Sequence, residues 1–328
     1  MKKILSLLLS ILIIVSLSAC NNNTDDAIES NVNEEVEINV QEETEKETNT
    51  NVSSDKTNYE LSGTITEEVV IESDDDVTIT LNNVNAKLEG NVISIKSAKS
   101  ATIILVGDNV LESTTIDKKT IKSDVDLTIK GEGTLTITSA DTCIKSDANL
   151  IIESGTYNLN AGTDGDGLRS DETLIINGGT FVIDAGEGIE STQITINDGK
   201  ITINASDDGI NASAKSETLS PDFVMNDGEI YITMAQGDTD GIDSNGNLTI
   251  NGGYININAQ SAFDYDGVGQ LNGGTIIING QETKSLNNQF GMGGMPGQGG
   301  QAPSGDNPFK NGEGKFTQGN GQGPKRRY

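Results

Sequence analysis

Five short phrases in this 328-residue chain set an acidic residue directly before a glycine, at Asp166, Glu187, Asp208, Asp240 and Asp266. In four of the five, a second carboxylate stands within three residues, from Asp164, Asp207, Asp238 and Asp264. Carboxylates grouped this way have three uses. They can ligate a hard cation through oxygen, flank a glycosidic bond as an acid and base pair, or simply form tight turns with glycine. If the residue before each glycine keeps its place in successive repeats, the five carboxylates stack in one row. Like charges that close repel unless some stay protonated or a cation lies between them. Calcium suits such a row, and the expected ligands are Asp164, Asp166, Asp171, Glu187, Asp207, Asp208, Asp238, Asp240, Asp243, Asp264 and Asp266. Asn211 and Asn245 offer further oxygens. The chain has no histidine and only 2 cysteines, which argues against zinc or copper, whose ligands are imidazole and thiolate. The spacing fits neither an EF-hand loop nor the nonapeptide calcium repeat.

Bases and aromatic side chains are sparse. Arg169 is the one arginine ahead of the C-terminal tail. It is the candidate base for a pectate-type lyase, with charge compensation of Asp171 and its neighbours as the alternative role. Lysines near the acidic turns are few: Lys145, Lys200 and Lys215. There is no tryptophan, so stacking on sugar rings falls to Tyr231 and Tyr265, with Tyr254 and Phe263 behind them. Catalytic glycosidase chemistry is not readable from spacing alone, because any row of acids offers the required separations.

What would position these groups is a repeat. The phrases LTIKGEGTLTI, LIIESGTYNL, LIINGGTFVI, ITINDGKITI and LTINGGYINI recur, with turn glycines Gly133, Gly155, Gly179, Gly199, Gly228, Gly253 and Gly274 separated by 22, 24, 20, 29, 25 and 21 residues. Alternation as in Ile255, Asn256, Ile257, Asn258 puts apolar side chains on one side of a strand and polar ones on the other. Strands this short bury their apolar side only against neighbouring repeats. A period near two dozen residues predicts an all-β, single-domain, right-handed parallel β-helix of roughly nine coils over residues 59–286. It is half what a propeller blade needs. The segment Tyr59 to Glu72 is a candidate end cap, and the Ser213 to Asp222 insertion a candidate lip over a groove. Cys143 has no partner, so no disulfide is expected.

The two ends read differently. Lys2 and Lys3 precede an apolar run from Ile4 to Val15, which is too short to span a membrane and reads as a targeting segment over residues 1–19. It closes in Leu17, Ser18, Ala19, Cys20, a lipobox, so Cys20 is the expected site of lipid attachment at the outer face of a membrane. Residues 20–58 form a polar, acidic linker too poor in apolar residues to fold. Residues 287–328 form a Gly/Gln/Met-rich tail that cannot bury a core. The net charge of −29 makes nucleic acid an improbable partner, and a monomer is expected.

The lipobox, acidic linker, INGG coils, DxDG turns and Gly/Met/Gln tail together resemble a family of bacterial extracellular carbohydrate-binding domains with a polysaccharide-lyase-like parallel β-helix. The resemblance covers about Tyr59 to Gly323. It implies binding of plant cell-wall polysaccharides, including cellulose and polygalacturonate, with calcium on the helix. Of the family's site residues, only the DxDG turns carry over. The expectation is a non-catalytic, calcium-dependent polysaccharide-binding surface lipoprotein. A calcium-dependent lyase using Arg169 and a structural adhesin are the alternatives.

Overall fold

The computed structural model describes residues 52–54, 57–237 and 239–286. The expectations for the targeting segment, Cys20, most of the linker, Asp238 and the tail concern residues outside this set. The described residues form 29 strands in two sheets, of 20 and 9 strands, with no helix among them. The chain winds as a parallel β-helix in which each coil contributes a strand to each of three faces. In one coil these are Leu150–Ile152, Thr156–Asn160 and Asp166–Ser170; in the next they are Thr173–Ile176, Thr180–Ala185 and Glu187–Ser191. The first two faces belong to the larger sheet. The third face is the 9-stranded one, and it makes about nine coils.

Register follows the alternation of side chains. Leu150 pairs with Leu174, Tyr157 with Phe181 and Leu168 with Ile189, so equivalent apolar side chains stack coil upon coil. All six are fully buried. The Tyr157 and Phe181 rings stack with centroids 4.6 Å apart and planes 6° from parallel. The Tyr157 hydroxyl donates to the Ser154 carbonyl at 2.7 Å, which satisfies a polar group that burial would otherwise penalise. Cys143 is buried in the same core with a free thiol.

A polar ladder fixes the turn between the first and second faces. Asn197 donates to Asn177, Asn226 to Asn197, Asn251 to Asn226 and Asn272 to Asn251, at 2.7 to 2.8 Å. The glycine two residues after each of these asparagines from Asn177 to Asn272 has positive φ, from 82° at Gly253 to 118° at Gly199. A side chain there would be strained. Because side-chain amides match only at one vertical register, the ladder guards against slippage of otherwise similar strands.

Both ends of the larger sheet are closed by antiparallel strands. Val52–Ser54 pairs with Asn58–Ile65, and Gln281–Thr283 folds back on Thr275–Ile278. The cap therefore lies ahead of the segment expected to supply it, in residues expected to be linker. Tyr59 to Glu72 instead makes the first coil, because its own apolar alternation pairs it in parallel with Val77–Leu88 and Ile93–Ser97. Covering those edges removes a template for association with other chains.

Candidate functional site

The third face carries the chemistry, in an outward row that runs from coil to coil. In register it reads Lys122, Lys145, Arg169, Glu190, Asn211, Asp243, Asp264. Three bases give way to acids and one amide. In the first half, each base spans two turns. Lys122 pairs with Asp124 and, at 2.9 Å, with Asp147; Lys145 reaches Asp147 at 2.8 Å and Asp171 at 3.2 Å. Arg169 contacts Glu190 at 2.6 Å and Asp166 at 3.3 Å. Burial opposes its charge, but Glu190 and Asp166 outweigh that and hold the guanidinium above its ordinary range. Held between these carboxylates, Arg169 compensates their charge in this structure.

A second row stands at the start of the same strands. Asp166 stands in register with Glu187, and the Asp240 amide donates to Asp208 at 3.0 Å. The glycine that follows each acid lies against the core. A Cβ on Gly167, Gly188, Gly209 or Gly241 would come within 2.8 Å of Ile183, Ile203, Ile232 or Ile257 respectively. The row ends sooner than expected, since Asp240 pairs with Ser261 and not Asp266. Asp264 is instead in register with Asp243. The Asp266 amide donates to the Ser244 carbonyl in the turn after the strand, as Asp171 does to Ser146 and Asn245 to Ala212. The DYDG phrase imitates DTDG in sequence, but Asp266 follows its strand whereas Asp240 opens its own.

Oxygens of Asp166, Glu187 and Glu190 lie within 4.8 Å of one another. Glu190 was not among the expected ligands. Its signal is spacing, since it falls 21 residues after Arg169 and 21 before Asn211. Lys215 pairs with it from the Ser213 to Asp222 insertion, whose backbone hangs from the Thr192 hydroxyl. The insertion thus folds down to deliver a cation to the row. Even so, burial first and then Glu190, Asp166 and Asp208 push the Glu187 carboxyl up to about 8. Asp166 is raised by burial and by Glu190.

Further along, the compensation stops. Burial raises Asp208 to about 6, and the neighbouring charges acting on it are Asp207, Asp240 and Glu190. Asp243 is raised to about 7 by burial, then by Asp208, Asp264 and Asp240. In register between Glu190 and Asp243, Asn211 is 9 % exposed; its amide nitrogen donates to Glu187 at 3.3 Å, while its Oδ1 is buried with no hydrogen-bond partner. An oxygen left that way costs about 1–3 kcal/mol unless something positive meets it. Oxygens alone make up this donor set, which fits calcium.

Two adjoining recesses, of about 490 and 450 Å³, border the row at the corner with the second face and share Thr163 and Ser206. Asp164, Glu187 and Asp207 line the first; Ala161, Ala185, Ala205 and Met234 give the second an apolar floor. Asp171 belongs to the ion-pair ladder. Of the aromatic candidates, Phe263 is wholly buried. Tyr265 packs on the core, and its hydroxyl donates to the Leu286 carbonyl at 3.1 Å, so it serves the C-terminal closure. Tyr231 stands on the second face beside Tyr254.

No curated protein sequence matches this chain. Among solved structures, a polysaccharide lyase-like protein from C. thermocellum, determined as a gadolinium derivative, is similar with 22 % identity and a TM-score of 0.47. That similarity covers 69 % of this chain and 92 % of the other. The family model described as carbohydrate-binding domain-containing protein matches residues 46–285, which takes in the described coils, and the chain belongs to that family.

Proposed function

We propose that the protein is a non-catalytic polysaccharide-binding lipoprotein, anchored through Cys20 at the outer face of a membrane, whose acidic half-face takes calcium. Membership of a carbohydrate-binding family supports the ligand class. The observation that carries the calcium reading is the buried, unpartnered Oδ1 of Asn211, set between carboxylates that burial and mutual repulsion hold above their ordinary range. Asp208, Asn211 and Asp243 would hold the ion. A bound divalent ion supplies the positive charge that an acidic rod lacks, and so lets it accept an acidic polysaccharide that its own field would repel. The chain's own part is to stack those oxygens at one height per coil, spaced ~4.8 Å apart, and to keep Arg169 and Lys215 away on Glu190.

Calcium titration by calorimetry on the protein from Cys20 onward, followed by pull-down on polygalacturonate with and without EDTA, tests the reading. Saturable calcium binding and chelator-sensitive retention are expected. Retention indifferent to EDTA, or no heat of calcium binding, would sink it. For the anchor, Cys20→Ala should move the protein from the membrane fraction to the medium; unchanged membrane retention would refute that element alone.

A further inference from the structure

The second face is built from strands Asp108–Ser113, Thr134–Ser139, Thr156–Asn160, Thr180–Ala185, Lys200–Ala205, Glu229–Met234 and Tyr254–Asn258. Its outward side chains are mostly short, with Thr134, Thr156 and Thr180 in one vertical row and Thr136, Asn158, Val182 and Thr202 in the next. Late in the helix the rows change. Lys200, Glu229 and Tyr254 continue the first row, and Tyr231 follows Thr202 in the second. The Tyr231 and Tyr254 rings meet with centroids 5.6 Å apart at 44°. Tyr231 is fastened from two sides. Its hydroxyl donates to Glu229 at 3.1 Å, and Lys200 Nζ sits 5.2 Å from its ring centroid while pairing with Glu229 at 3.2 Å.

Next to this pair is an open recess of about 580 Å³, lined by Asp198, Lys200, Asp227, Glu229, Tyr254 and the turn glycines between them. Its floor is backbone, because Gly199, Gly228 and Gly253 take positive φ and carry no side chain. The size falls in the range of small-ligand sites, ~300–1,000 Å³. One oxygen of Asp198 and one of Asp227 bond their own turn amides. The lining thus combines an aromatic ring, hydrogen-bonding carboxylates and one ammonium.

We infer that the Tyr231 and Tyr254 pair with its adjoining recess is a stacking subsite for a neutral glycan, on a different face from the acidic row. A pyranose offers an apolar C–H face to a tyrosine ring and hydroxyls to carboxylates and an ammonium. Three carboxylates against one lysine leave the recess negative, so a uronate is disfavoured there and an uncharged sugar is not. Fastening the rings beforehand reduces the ordering cost of binding. The inference rests on the chain being a carbohydrate-binding protein and adds where, and for which class of sugar.

The test measures affinities of the full mature chain for neutral gluco-, xylo- and manno-hexasaccharides and for polygalacturonate with calcium. The wild type is compared with Tyr231→Ala/Tyr254→Ala and with Tyr231→Phe, each checked for an unchanged circular dichroism spectrum. The double variant should lose about ten-fold or more in affinity for the neutral glycan, keep polygalacturonate binding, and be largely rescued by the ring-preserving Tyr231→Phe. Wild-type binding of polygalacturonate but no neutral hexasaccharide, or equal neutral binding by the double variant, overturns the subsite and leaves the broader reading intact. Binding of neither class by the wild type overturns both.

Discussion

The two halves of the third face share one backbone and one register but solve the same electrostatic problem differently. From Lys122 to Arg169, each acidic turn meets a base from its own coil or the next. From Asn211 to Asp264, carboxylates face carboxylates. The first half is therefore complete as a polypeptide. The second leaves carboxylates facing one another, which is the imbalance the proposed cation would answer. Arg169 and Glu190 mark the seam.

The sharpest way to break that contrast is Arg169→Ala. Glu190 keeps Lys215, but Asp166, 4 % exposed, loses its base, and removing one partner of a buried pair costs about 3–5 kcal/mol. Urea unfolding at neutral pH without calcium should show that loss. Asp243→Asn, in the other half, should stabilise the protein in the same buffer because it removes a repelling charge. Destabilisation of similar size by both variants would erase the distinction between the halves.

A pH series comes next in size. Glu187, Asp243 and Asp208 have folded values of about 8, 7 and 6, all above the ordinary carboxylate range. Between the unfolded and folded values the native state holds more protons than the unfolded chain. Stability conferred by these groups is thus intact below about pH 4 and falls as pH rises, levelling off above about pH 8. Over that window, in EDTA, a few kcal/mol should be lost, and Glu187→Gln or Asp243→Asn should flatten the slope. A melting temperature that climbs from pH 5 to 8 in EDTA would contradict this. Smaller again is the rescue by calcium. An ion at one hundred times its Kd adds about 2.7 kcal/mol, and more at pH 8 than at pH 5.5, where protons compete for the same oxygens. Asp208→Asn/Asp243→Asn should abolish the increment while leaving the Arg169 ladder untouched.

How much of this was readable in the sequence depends on what fixed each feature. The coils were legible because alternation and turn glycines repeat at one period, and the columns through Tyr157, Phe181 and Ile201 follow from it. The row Asp166, Glu187, Asp208, Asp240 was legible because each acid precedes a glycine that the core requires. Asp266 misled because local wording is not register; its coil places Ser261 where an acid was expected. The split of charge was hidden for another reason. Lys122, Lys145 and Arg169 share the phrases IKSD, IKSD and LRSD, but these name no chemistry until the coils stack them, and Lys215 comes from an insertion that the period skips. Tyr231 and Tyr265 differ because the C-terminal return reaches Tyr265, a contact with no signal in the sequence.

The smallest effect tests whether the ladder is redundant. Lys145 pairs with both Asp147 and Asp171, yet each aspartate has a second basic neighbour, Asp147 in Lys122 at 2.9 Å and Asp171 in Arg169 at 3.8 Å. Lys145→Met keeps the aliphatic stem that packs on the strand and leaves no carboxylate stranded. Its cost should be about 1 kcal/mol, in the range of partly exposed pairs, and should shrink with added salt. Arg169 differs because its distance to Glu190 is far shorter than to Asp171 and its partners are nearly sealed from water. If Lys145→Met proved as damaging as Arg169→Ala, the ladder would act as one cooperative unit from Lys122 to Glu190. The boundary between a self-sufficient half and a dependent half would then have to be moved beyond Arg169.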